Sequence, residues 1–469
     1  MTTAQQHDAV IIGAGMSGLA AGIRLAWFGQ KVVILERHSL WGGLNSFYKL
    51  GGRRFDVGLH ALTNFVPART PGAPLTRVLK ALRLRHEDLK LRPQRESRIL
   101  FPGVSLRFTN DFNLFQEEVG SRFPDQRDGF ARLVGDLSLT SSAASPRAFQ
   151  GARPILAEYL SDPLLIDMLM LPCCFYGSAR EDDVDWYQFN ILFQSLFVEG
   201  FARPEGGIKP MLDLLIERYR SLGGELRMRC GVERVVCENG VARGVDLDDG
   251  TSLTTDLVLS SAGHPETMRL CGPQAVADHV NEGDRGRMAF TESIHVLDRK
   301  PAELGHLAAV TFFNDADRFT WRCPEELIDP TSGVVASPDN YLGEDEDGEG
   351  ILRLTTLANH DRWAALEPEA YAAAKHDCTE RALDVASRHT LDPRPHEVFR
   401  DSFSPTTVRH YTGREGGAVY GSPHKRLDGR TPFDGLRLIG TDQGLLGIVG
   451  ALLSGITIAN LHAPTAAAS

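Results

Sequence analysis

Near its N-terminus the chain reads Ala9-Val10-Ile11-Ile12-Gly13-Ala14-Gly15-Met16-Ser17-Gly18, an apolar run followed by three glycines in the spacing G-x-G-x-x-G. The run is short enough for a buried parallel strand. Glycines in this spacing permit a tight turn, a close approach of the backbone to a pyrophosphate, and close packing of the next helix. The stretch therefore predicts a phosphate site on the first amides of a helix, which we expect from Ser17 to Phe28.

A second strand is predicted from Lys31 to Leu35, and it delivers Glu36 about twenty residues after the glycines. A carboxylate at that place accepts hydrogen bonds from ribose hydroxyls and repels a 2′-phosphate. Strand, glycines, helix, second strand and acid follow in the order of a dinucleotide site. We assign that site to Gly13, Gly15, Met16, Ser17, Gly18 and Glu36; this pattern alone does not separate NAD from FAD.

Two further segments bear on the choice of cofactor. After Glu36 the chain continues through Arg37 to Trp41-Gly42-Gly43-Leu44-Asn45-Ser46, and then to Arg54-Phe55-Asp56-Val57-Gly58-Leu59-His60. Near its other end it reads Leu436-Arg437-Leu438-Ile439-Gly440-Thr441-Asp442, which predicts a buried strand that delivers an acid. Residues 444–460 then predict an apolar, glycine-containing helix.

These segments resemble the flavoprotein superfamily of amine oxidases and carotenoid desaturases. The resemblance implies FAD as the cofactor and an α/β fold, with a Rossmann-like, glutathione-reductase-like FAD-binding domain and a second α+β substrate domain. It implies that Asp442 lies near the pyrophosphate and ribitol, with Ile448, Val449 and Ala451 under the flavin ring. It also assigns to the cofactor site Arg37, Gly42, Gly43, Leu44, Gly58, Leu59 and Gly440.

The middle of the chain completes the nucleotide domain. Residues 209–222 predict an amphipathic helix, and strand-like runs follow at 225–229, 232–237, 241–247 and 257–261. By the resemblance, Val232 would meet the adenine, and Ser261 and Ala262 would pass beside the dinucleotide. We therefore predict a discontinuous FAD-binding domain of residues 1–90, 204–286 and 426–469, and a substrate-binding domain of residues 91–203 and 287–425.

Two segments of the predicted substrate domain, 154–170 and 186–201, have helical periodicity. In the second, Phe189, Phe193 and Phe197 recur at i, i+4 and i+8, which places them on one face. We expect that face to be buried. It forms either core packing or the wall of a tunnel for an elongated apolar substrate.

Composition limits the partners and the location of the protein. A chain of 469 residues is long enough for two cores, and its formal net charge of −11 argues against nucleic acid as the main partner. Seven irregularly spaced cysteines indicate neither a metal site nor a disulfide framework, and fit a reducing compartment. No run is apolar enough to span a bilayer. We expect a cytoplasmic protein, free or loosely membrane-associated, with the cationic residues between 83 and 98 as either a lipid contact or a solvated face.

A narrower resemblance rests on Tyr411-Thr412-Gly413-Arg414-Glu415-Gly416-Gly417-Ala418-Val419-Tyr420-Gly421-Ser422-Pro423-His424. This stretch is similar to a glycine-rich segment of phytoene desaturases, carotenoid isomerases and retinol saturases. It implies an FAD-dependent oxidoreductase that acts on C–C or C=C bonds of an apolar polyene or isoprenoid, as phytoene desaturases do. Two alternatives stay open: a non-redox cis/trans isomerase of polyenes, and a flavin-dependent amine oxidase, for which Lys300, in a predicted exposed turn, is the candidate lysine.

One side chain is a candidate for proton transfer. His60 follows the Gly58 turn, which the resemblance brings close to the flavin ring, and the ordinary pKa of histidine suits general acid–base work. A positioning or packing role for His60 is the alternative.

Overall fold

The computed structural model describes residues 5–58, 60–139, 148–343 and 348–462. Leu59, which the sequence assigns to the cofactor site, therefore lies outside the described residues. Within these ranges the strands form two main sheets and smaller ones, and helices lie between them in the chain. Among the helices described, none is both long enough and apolar enough to cross a membrane.

The α-helices have the following bounds: α1 Met16–Trp27, α2 Pro74–Leu82, α3 Phe112–Arg122, α4 Arg127–Leu139, α5 Ala152–Tyr159, α6 Pro163–Gly177, α7 Trp186–Phe193, α8 Ile208–Ser221, α9 His264–Cys271, α10 Pro273–His279, α11 His360–Ala364, α12 Pro368–Ala386, α13 Pro405–Thr412 and α14 Gly447–Leu461.

The strands have the following bounds: β1 Gln5–Gln6, β2 Ala9–Ile12, β3 Val32–Glu36, β4 Phe47–Leu50, β5 Arg53–Asp56, β6 Leu91–Pro93, β7 Ser97–Phe101, β8 Val104–Phe108, β9 Ala202–Pro204, β10 Glu225–Met228, β11 Val232–Glu238, β12 Val241–Leu247, β13 Ser252–Thr254, β14 Val258–Ser260, β15 Ala289–Leu297, β16 Val310–Asn314, β17 Ile328–Ala336, β18 Gly350–Ala358, β19 Glu397–Phe403 and β20 Leu436–Leu438.

The first sheet is parallel and has the strand order β10-β3-β2-β14-β20. Its strands come from three distant parts of the chain, and every residue of β2 and β3 is buried. Continuous apolar strands of this kind are typical of a parallel sheet that is covered on both faces. Because the strands are parallel, their carboxyl ends lie along one edge of the sheet. The glycine turn and Glu36 are at that edge.

Helices and a small mixed sheet cover the two faces of this parallel sheet. On one face, α1, α8 and α14 bury a core that includes Leu19, Leu212 and Leu452. On the other face lies the sheet β1-β13-β12-β11, whose Val245 and Leu253 pack beneath β2 and β3. Each face of the parallel sheet thus has its own apolar layer, and only its strand ends are left to bind a ligand.

The second main sheet has seven strands in the order β19-β15-β18-β17-β16-β7-β8. Its strands are antiparallel except for the pair β7 and β16. Helices α3 to α7 pack against it around an aromatic core, and α12 contributes Leu383 to a separate apolar cluster. The predicted α/β class, with a Rossmann-like unit and a second α+β unit, is confirmed; the residue boundaries of the two domains stay a prediction.

The helix predicted over 154–170 is wrong, because α5 ends at Tyr159 and α6 begins at Pro163. Asp162 Oδ1 accepts a hydrogen bond from Leu164 N at 2.8 Å, and proline at the first helical position favours a new helix start. The helix predicted over 186–201 is also shorter. It passes from α7 into a π-helix, Gln194–Val198, ahead of Gly200 at φ 93°.

The phenylalanine face of α7 and the π-helix belongs to the core. Phe189, Phe193 and Phe197 are each 0% exposed. The Phe197 ring stacks on Phe115 with a centroid separation of 4.5 Å, and Phe193 packs edge-on against Phe112. Of the two roles that the sequence left open, the structure supports core packing.

Candidate functional site

A cavity of about 530 Å³ lies between the strand ends of the parallel sheet and one face of the seven-stranded sheet. Its volume is within the range of small-molecule and cofactor sites. Two parts of its wall differ in composition. We call the part built on β2, β3, β14 and β20 the cradle, and the part built on α6, β15, β17, β18 and β19 the chamber.

The glycine turn forms the floor of the cradle. Gly13 has φ +97°, and a Cβ atom there would lie 2.3 Å from Ser261 Oγ. A Cβ atom on Gly18 would lie 2.0 Å from Gly13 O, so Gly18 permits close packing of α1 on the turn. By contrast, no atom lies within 4 Å of the position of a Cβ on Gly15, which borders the cavity. Backbone can therefore meet a ligand directly at Gly15.

The starts of two helices border the cavity without a side-chain cap. Met16 and Ser17 begin α1, and Gly447 and Ile448 begin α14. Since the first amides of a helix have no partner within the helix, uncapped starts leave donors and a positive dipole end for an anion or an electron-rich ligand. The cradle thus carries backbone donors from both ends of the chain.

Glu36 ends β3 at the wall of the cavity and is 9% exposed. Its Oε2 accepts a hydrogen bond from Ala14 N at 2.8 Å, and its Oε1 accepts one from His38 N at 2.9 Å. A carboxylate has about four acceptor positions. Glu36 therefore braces the glycine turn and retains capacity to accept ribose hydroxyls.

Most of the predicted cofactor residues border this one cavity. Those that do are Gly13, Gly15, Met16, Ser17, Glu36, Arg37, Gly42, Gly43, Leu44, Gly58, Val232, Ser261, Ala262, Gly440, Ile448 and Ala451. Gly18, Asp442 and Val449 are not in its wall. Gly18 is the packing glycine of α1, and Val449 is 1% exposed within the core beneath α14.

Asp442 lies behind the wall and holds the glycine-rich stretch in place. Its carboxylate accepts hydrogen bonds from His264 N at 2.7 Å and Ser422 N at 3.0 Å, and it pairs with Arg414 at 3.4 Å. Burial alone would raise the pKa of Asp442, but the charges of Arg414 and Lys425 and the two amides lower it. Asp442 is therefore an ionised brace for Arg414, which borders the cavity.

The chamber is mostly aromatic and apolar. Its wall residues from the helix and the seven-stranded sheet are Phe175, Tyr176, Phe290, Val334 and Phe403. Val419 and Tyr420, from the glycine-rich stretch, complete that wall. The rings of Phe290 and Tyr420 pack edge to face at 5.8 Å, and the Tyr420 hydroxyl donates a hydrogen bond to Phe175 O. Such a wall suits an apolar ligand and excludes water.

Polar groups in the chamber are concentrated in one cluster, His60, Glu292, Arg353 and Thr355, which we call the histidine cluster. His60 Nε2 lies 2.7 Å from Glu292 Oε2. Arg353 Nε donates to Glu292 Oε1 at 2.6 Å, and the Thr355 hydroxyl donates to Glu292 Oε2 at 2.9 Å. The side chains of Glu292 and Arg353 are each 3% exposed, whereas that of His60 is 21% exposed.

Burial by itself would raise the pKa of Glu292, but the opposing charges of Arg353 and His60 and their hydrogen bonds lower it to about 2. Glu292 is therefore ionised throughout the physiological range. The predicted proton-transfer residue, His60, thus borders the cavity beside a buried carboxylate.

Sequence reasoning missed Glu292, Arg353 and Thr355. A signal was present, because a glutamate and an arginine each lie within a strand-like stretch, in residues 289–297 and 350–358. Only the register joins them: Glu292 pairs with Thr355 and Ile294 with Arg353 across β15 and β18. The two charges are then diagonal neighbours on one face of the sheet.

The family model described as "Flavin containing amine oxidoreductase" matches residues 16–461. The chain belongs to this family. Its cofactor is FAD, and the protein is an FAD-dependent oxidoreductase. The cradle fits that cofactor. It has uncapped helix starts, a glycine with open space in front of its backbone, and a buried carboxylate. These are the groups that a dinucleotide requires.

Curated relatives span almost the whole chain. The chloroplastic prolycopene isomerase of Arabidopsis thaliana is 23% identical over 97% of this chain and 82% of its own length. The all-trans-retinol 13,14-reductase of Danio rerio is 24% identical over 96% of this chain and 85% of its own length.

Among solved structures, an oxidoreductase from Methanosarcina mazei superposes with a TM-score of 0.66 at 20% identity. The match covers 97% of this chain and 100% of that one. At this identity the likeness establishes the fold.

Proposed function

We propose that this flavoprotein acts on carbon–carbon bonds of an apolar polyene or isoprenoid, as a carotenoid desaturase, saturase or isomerase does. The observation that carries the proposal is the aromatic chamber, which opens onto the same cavity as the cradle and confines its charged groups to the histidine cluster. Relatives named for prolycopene and retinol chemistry support the same substrate class. Among the redox reactions, a phytoene desaturase-like activity is one form of the proposal.

Bound FAD would supply the hydride chemistry, while the protein binds, orients and excludes water. We assign the contacts with FAD to the cofactor residues predicted above. In the cradle, Gly15, Met16 and Ser17 would hold the pyrophosphate on their amides, and Glu36 would accept the ribose. At the start of α14, the amide of Ile448 would stabilise negative charge on the ring system. In the chamber, Phe290 and Tyr420 would hold the polyene against the ring.

Proton transfer is assigned to His60. Isoprenoid desaturation removes a hydride and a proton from adjacent carbons, so a base must face the chain, and the reverse reaction needs an acid. His60 is the exposed member of the histidine cluster and borders the cavity. His60→Ala should retain bound FAD and lose turnover about 100-fold or more; unchanged turnover would remove the assignment.

The mass of the product tests the proposal. Purified, FAD-loaded protein is incubated anaerobically with a polyene such as phytoene, lycopene or retinol, once with oxidised FAD and once with FAD reduced by dithionite. The extracts are analysed by mass spectrometry. Loss of two hydrogens shows a desaturase, and gain of two shows a saturase. Failure to change any polyene or isoprenoid in mass or geometry would refute the proposed class.

A polyene isomerase that makes no net redox change is the second candidate. The relative named prolycopene isomerase, which matches 97% of this chain, favours it. An unchanged mass with a shifted absorption spectrum and retention time would identify this activity. A dependence on prior reduction of FAD would show that the cofactor still takes part.

An amine oxidase fits the chamber less well. The candidate lysine, Lys300, pairs with Asp339 at 2.7 Å and is not in the wall of the cavity, and its side chain is 13% exposed, so the predicted exposed turn is wrong for it. Among the described residues that line the cavity, the carboxylates are those of Glu36, Glu266 and Glu292, and the one in the chamber, Glu292, already pairs with Arg353. Hydrogen peroxide release with simple amines would restore this function.

Peripheral membrane contact is part of the proposal, because an apolar polyene resides in lipid. Residues 57–86 contain five lysines and arginines and no acidic residue, although the whole chain has a net charge of −11. Arg83 lies 4.9 Å from the ring of Trp27, which is 41% exposed. Cations beside an exposed tryptophan favour anionic lipid surfaces.

Vesicle sedimentation tests this contact. Wild-type protein should bind phosphatidylglycerol vesicles more strongly than phosphatidylcholine vesicles, and less strongly at high salt. The variant Arg77→Glu/Lys80→Glu should lose that preference, whereas the matched variant Arg122→Glu/Arg381→Glu, on exposed helical positions elsewhere, should keep it. Equal binding of both vesicle types, or loss in both variants, would contradict the contact.

A further inference from the structure

The histidine cluster contains more charge than a simple proton acceptor requires. The buried carboxylate of Glu292 contacts His60 Nε2, and Arg353 and Thr355 in turn donate hydrogen bonds to that carboxylate. We propose that Glu292, itself held by Arg353, fixes a proton on His60 Nε2, so that His60 Nδ1 is the atom that exchanges protons with the ligand. The inference deepens the proposed function and rests on it for the identity of the ligand.

The contacts of Glu292 determine the direction of its hydrogen bond to the histidine. Arg353 donates to Oε1, and Thr355 donates to Oε2. An ionised carboxylate accepts hydrogen bonds and donates none. Because Glu292 is ionised beside Arg353, the 2.7 Å contact with His60 requires the hydrogen to be on His60 Nε2.

The other ring nitrogen then faces the ligand. Within the described residues, the hydrogen bonds of the His60 ring all involve Nε2, with Glu292 and more weakly with Thr355 at 3.4 Å. The backbone of His60 is held by the hydroxyl of Tyr341, which donates to His60 O at 3.0 Å. Since Nε2 is held by Glu292 and His60 borders the cavity, Nδ1 is the ring nitrogen that we assign to proton exchange with the ligand.

The balance of charge shows what protonation would do. Glu292 and Arg353 neutralise each other, so a neutral His60 leaves the cluster without net charge, and a second proton at Nδ1 gives it one positive charge. The neighbouring titratable pair is Tyr48 and Asp401, whose hydroxyl–carboxylate distance is 2.8 Å. Burial, with Asp401, raises the pKa of Tyr48, so that Tyr48 stays protonated while Asp401 is already hydrogen-bonded.

The desaturation step would remove one proton and one hydride from adjacent carbons. A substrate carbon would give its proton to Nδ1, and the C–H electron pair would enter the new C=C bond; bound oxidised FAD would supply the acceptor for the hydride of the adjacent carbon. His60 becomes imidazolium, with Nε2–H still directed at Glu292, and later releases the Nδ1 proton to water. In saturation the same proton would move from Nδ1 to carbon, and reduced FAD would supply the hydride for the adjacent carbon.

The arginine gives the pair a second function. Arg353 also donates to Val57 O at 2.5 Å, which connects β18 to the segment that carries His60. Glu292 and Arg353 are therefore positioning residues. They set the tautomer and the position of His60, and neither of them exchanges a proton with the ligand.

Histidine NMR tests the tautomer without turnover. In protein labelled with ¹⁵N-histidine, the signals of His60 are assigned by their absence in His60→Gln. Wild-type protein should show a protonated Nε2 and an unprotonated Nδ1 at pH 8. In Glu292→Gln/Arg353→Met, which removes both charges, the tautomer should become mixed, and the acid limb of kcat/KM against pH should move by about one unit or more.

The same strand offers a matched control. His295, on β15, pairs through Nδ1 with Glu397 Oε2 at 2.5 Å and is not in the cavity wall. Glu397→Gln should change the NMR signals of His295 and leave those of His60 and the pH profile unchanged. The control separates loss of a buried histidine–glutamate pair in general from loss at this cavity.

A wild-type spectrum with the proton on His60 Nδ1 would overturn the inference, whether or not any variant folds. An unchanged His60 tautomer in the double variant would also overturn it. If the tautomer is as expected and no polyene is converted, the inference about Glu292 holds and the proposed function fails.

Discussion

The cradle and the chamber share one cavity but hold their ligands by different means. In the cradle, backbone amides and glycines border the ligand, with the buried carboxylate of Glu36 beside them. In the chamber, side chains form the wall: aromatic rings and the carboxylate of Glu292, which is paired with the buried guanidinium of Arg353. The cradle suits the charged pyrophosphate of a cofactor that many proteins bind. The chamber suits one class of apolar substrate.

This difference predicts how each part responds to mutation. A wall made of backbone is disrupted when a glycine is replaced, because the added Cβ atom takes up space that the neighbouring backbone or the ligand occupies. A wall made of side chains fails when a partner is removed, because a buried charge without its partner is costly. Four predictions test the contrast, beginning with the largest effect.

Gly18→Ala should strongly destabilise the FAD-loaded protein. Its Cβ would lie 2.0 Å from the backbone oxygen of Gly13, which cannot shift without displacing the turn. We expect a loss in the free energy of unfolding above about 4 kcal/mol, measured by thermal and urea unfolding. Gly22→Ala, where a Cβ would meet side-chain ends of Ile34 and Tyr219, is the control and should be milder.

If Gly18→Ala and Gly22→Ala prove equally stable, the close packing of α1 on the glycine turn is not what requires glycine. The cradle would then tolerate added volume, and the contrast with the chamber would disappear.

Glu292→Leu should destabilise the protein by about 3–5 kcal/mol, because it leaves the Arg353 guanidinium buried without its carboxylate. Glu292→Leu/Arg353→Met replaces the whole ion pair by apolar groups and should recover to within about 1–2 kcal/mol of wild type. Urea unfolding of both variants measures the difference. A double variant as unstable as the single one would show that the pair itself, and not the unpaired arginine, carries the stability.

Acid should destabilise the chamber through the same carboxylate. The pKa of Glu292 is lowered from 4.5 to about 2 in the folded protein. Its contribution to stability is therefore complete above pH 4.5 and is lost as the pH falls toward 2, with about 1.4 kcal/mol for each unit of pKa difference. Unfolding measured between pH 6 and 2.5 should show a shallower slope in Glu292→Leu/Arg353→Met; equal slopes would contradict this.

Gly15→Ala should have the smallest effect on stability and a selective effect on the cofactor. No atom lies within 4 Å of its Cβ position, and φ is −75°, so the free energy of unfolding without FAD should change by less than about 1 kcal/mol. The methyl group would enter the space for the pyrophosphate and weaken FAD binding by about 10- to 100-fold.

Flavin titration by fluorescence measures the effect of Gly15→Ala. Gly135→Ala, on exposed α4 with no atom within 4 Å of its Cβ position, is the control and should leave FAD affinity unchanged. Unchanged affinity in Gly15→Ala would show that the ligand does not approach this part of the turn.

The cradle was largely predictable because its elements are local. The glycine spacing fixed the turn, and the predicted strand and helix differ from β3 and α1 by one residue at their starts. The break at Asp162 is also local, and Asp-Pro before an apolar run was a readable helix start. The π-helix after α7 was not readable, since its sequence keeps the periodicity of an α-helix.

The chamber was not predictable in the same way. His60 was visible beside a glycine turn, but its partner Glu292 is 232 positions away and Arg353 is a further 61. The sequence showed Tyr420 only as one residue of the glycine-rich stretch. Its contact with Phe290 depends on how that stretch packs against β15.

The amino-acid sequence alone determined the parallel sheet, the glycine turn and the acid at the end of β3, because backbone conformation and hydrophobic periodicity are set by near neighbours. Only the tertiary structure decided which distant side chains meet in the chamber and that Glu292 and Arg353 are buried together beside His60. Strand register and packing set those meetings, and both depend on contacts between residues far apart in the chain.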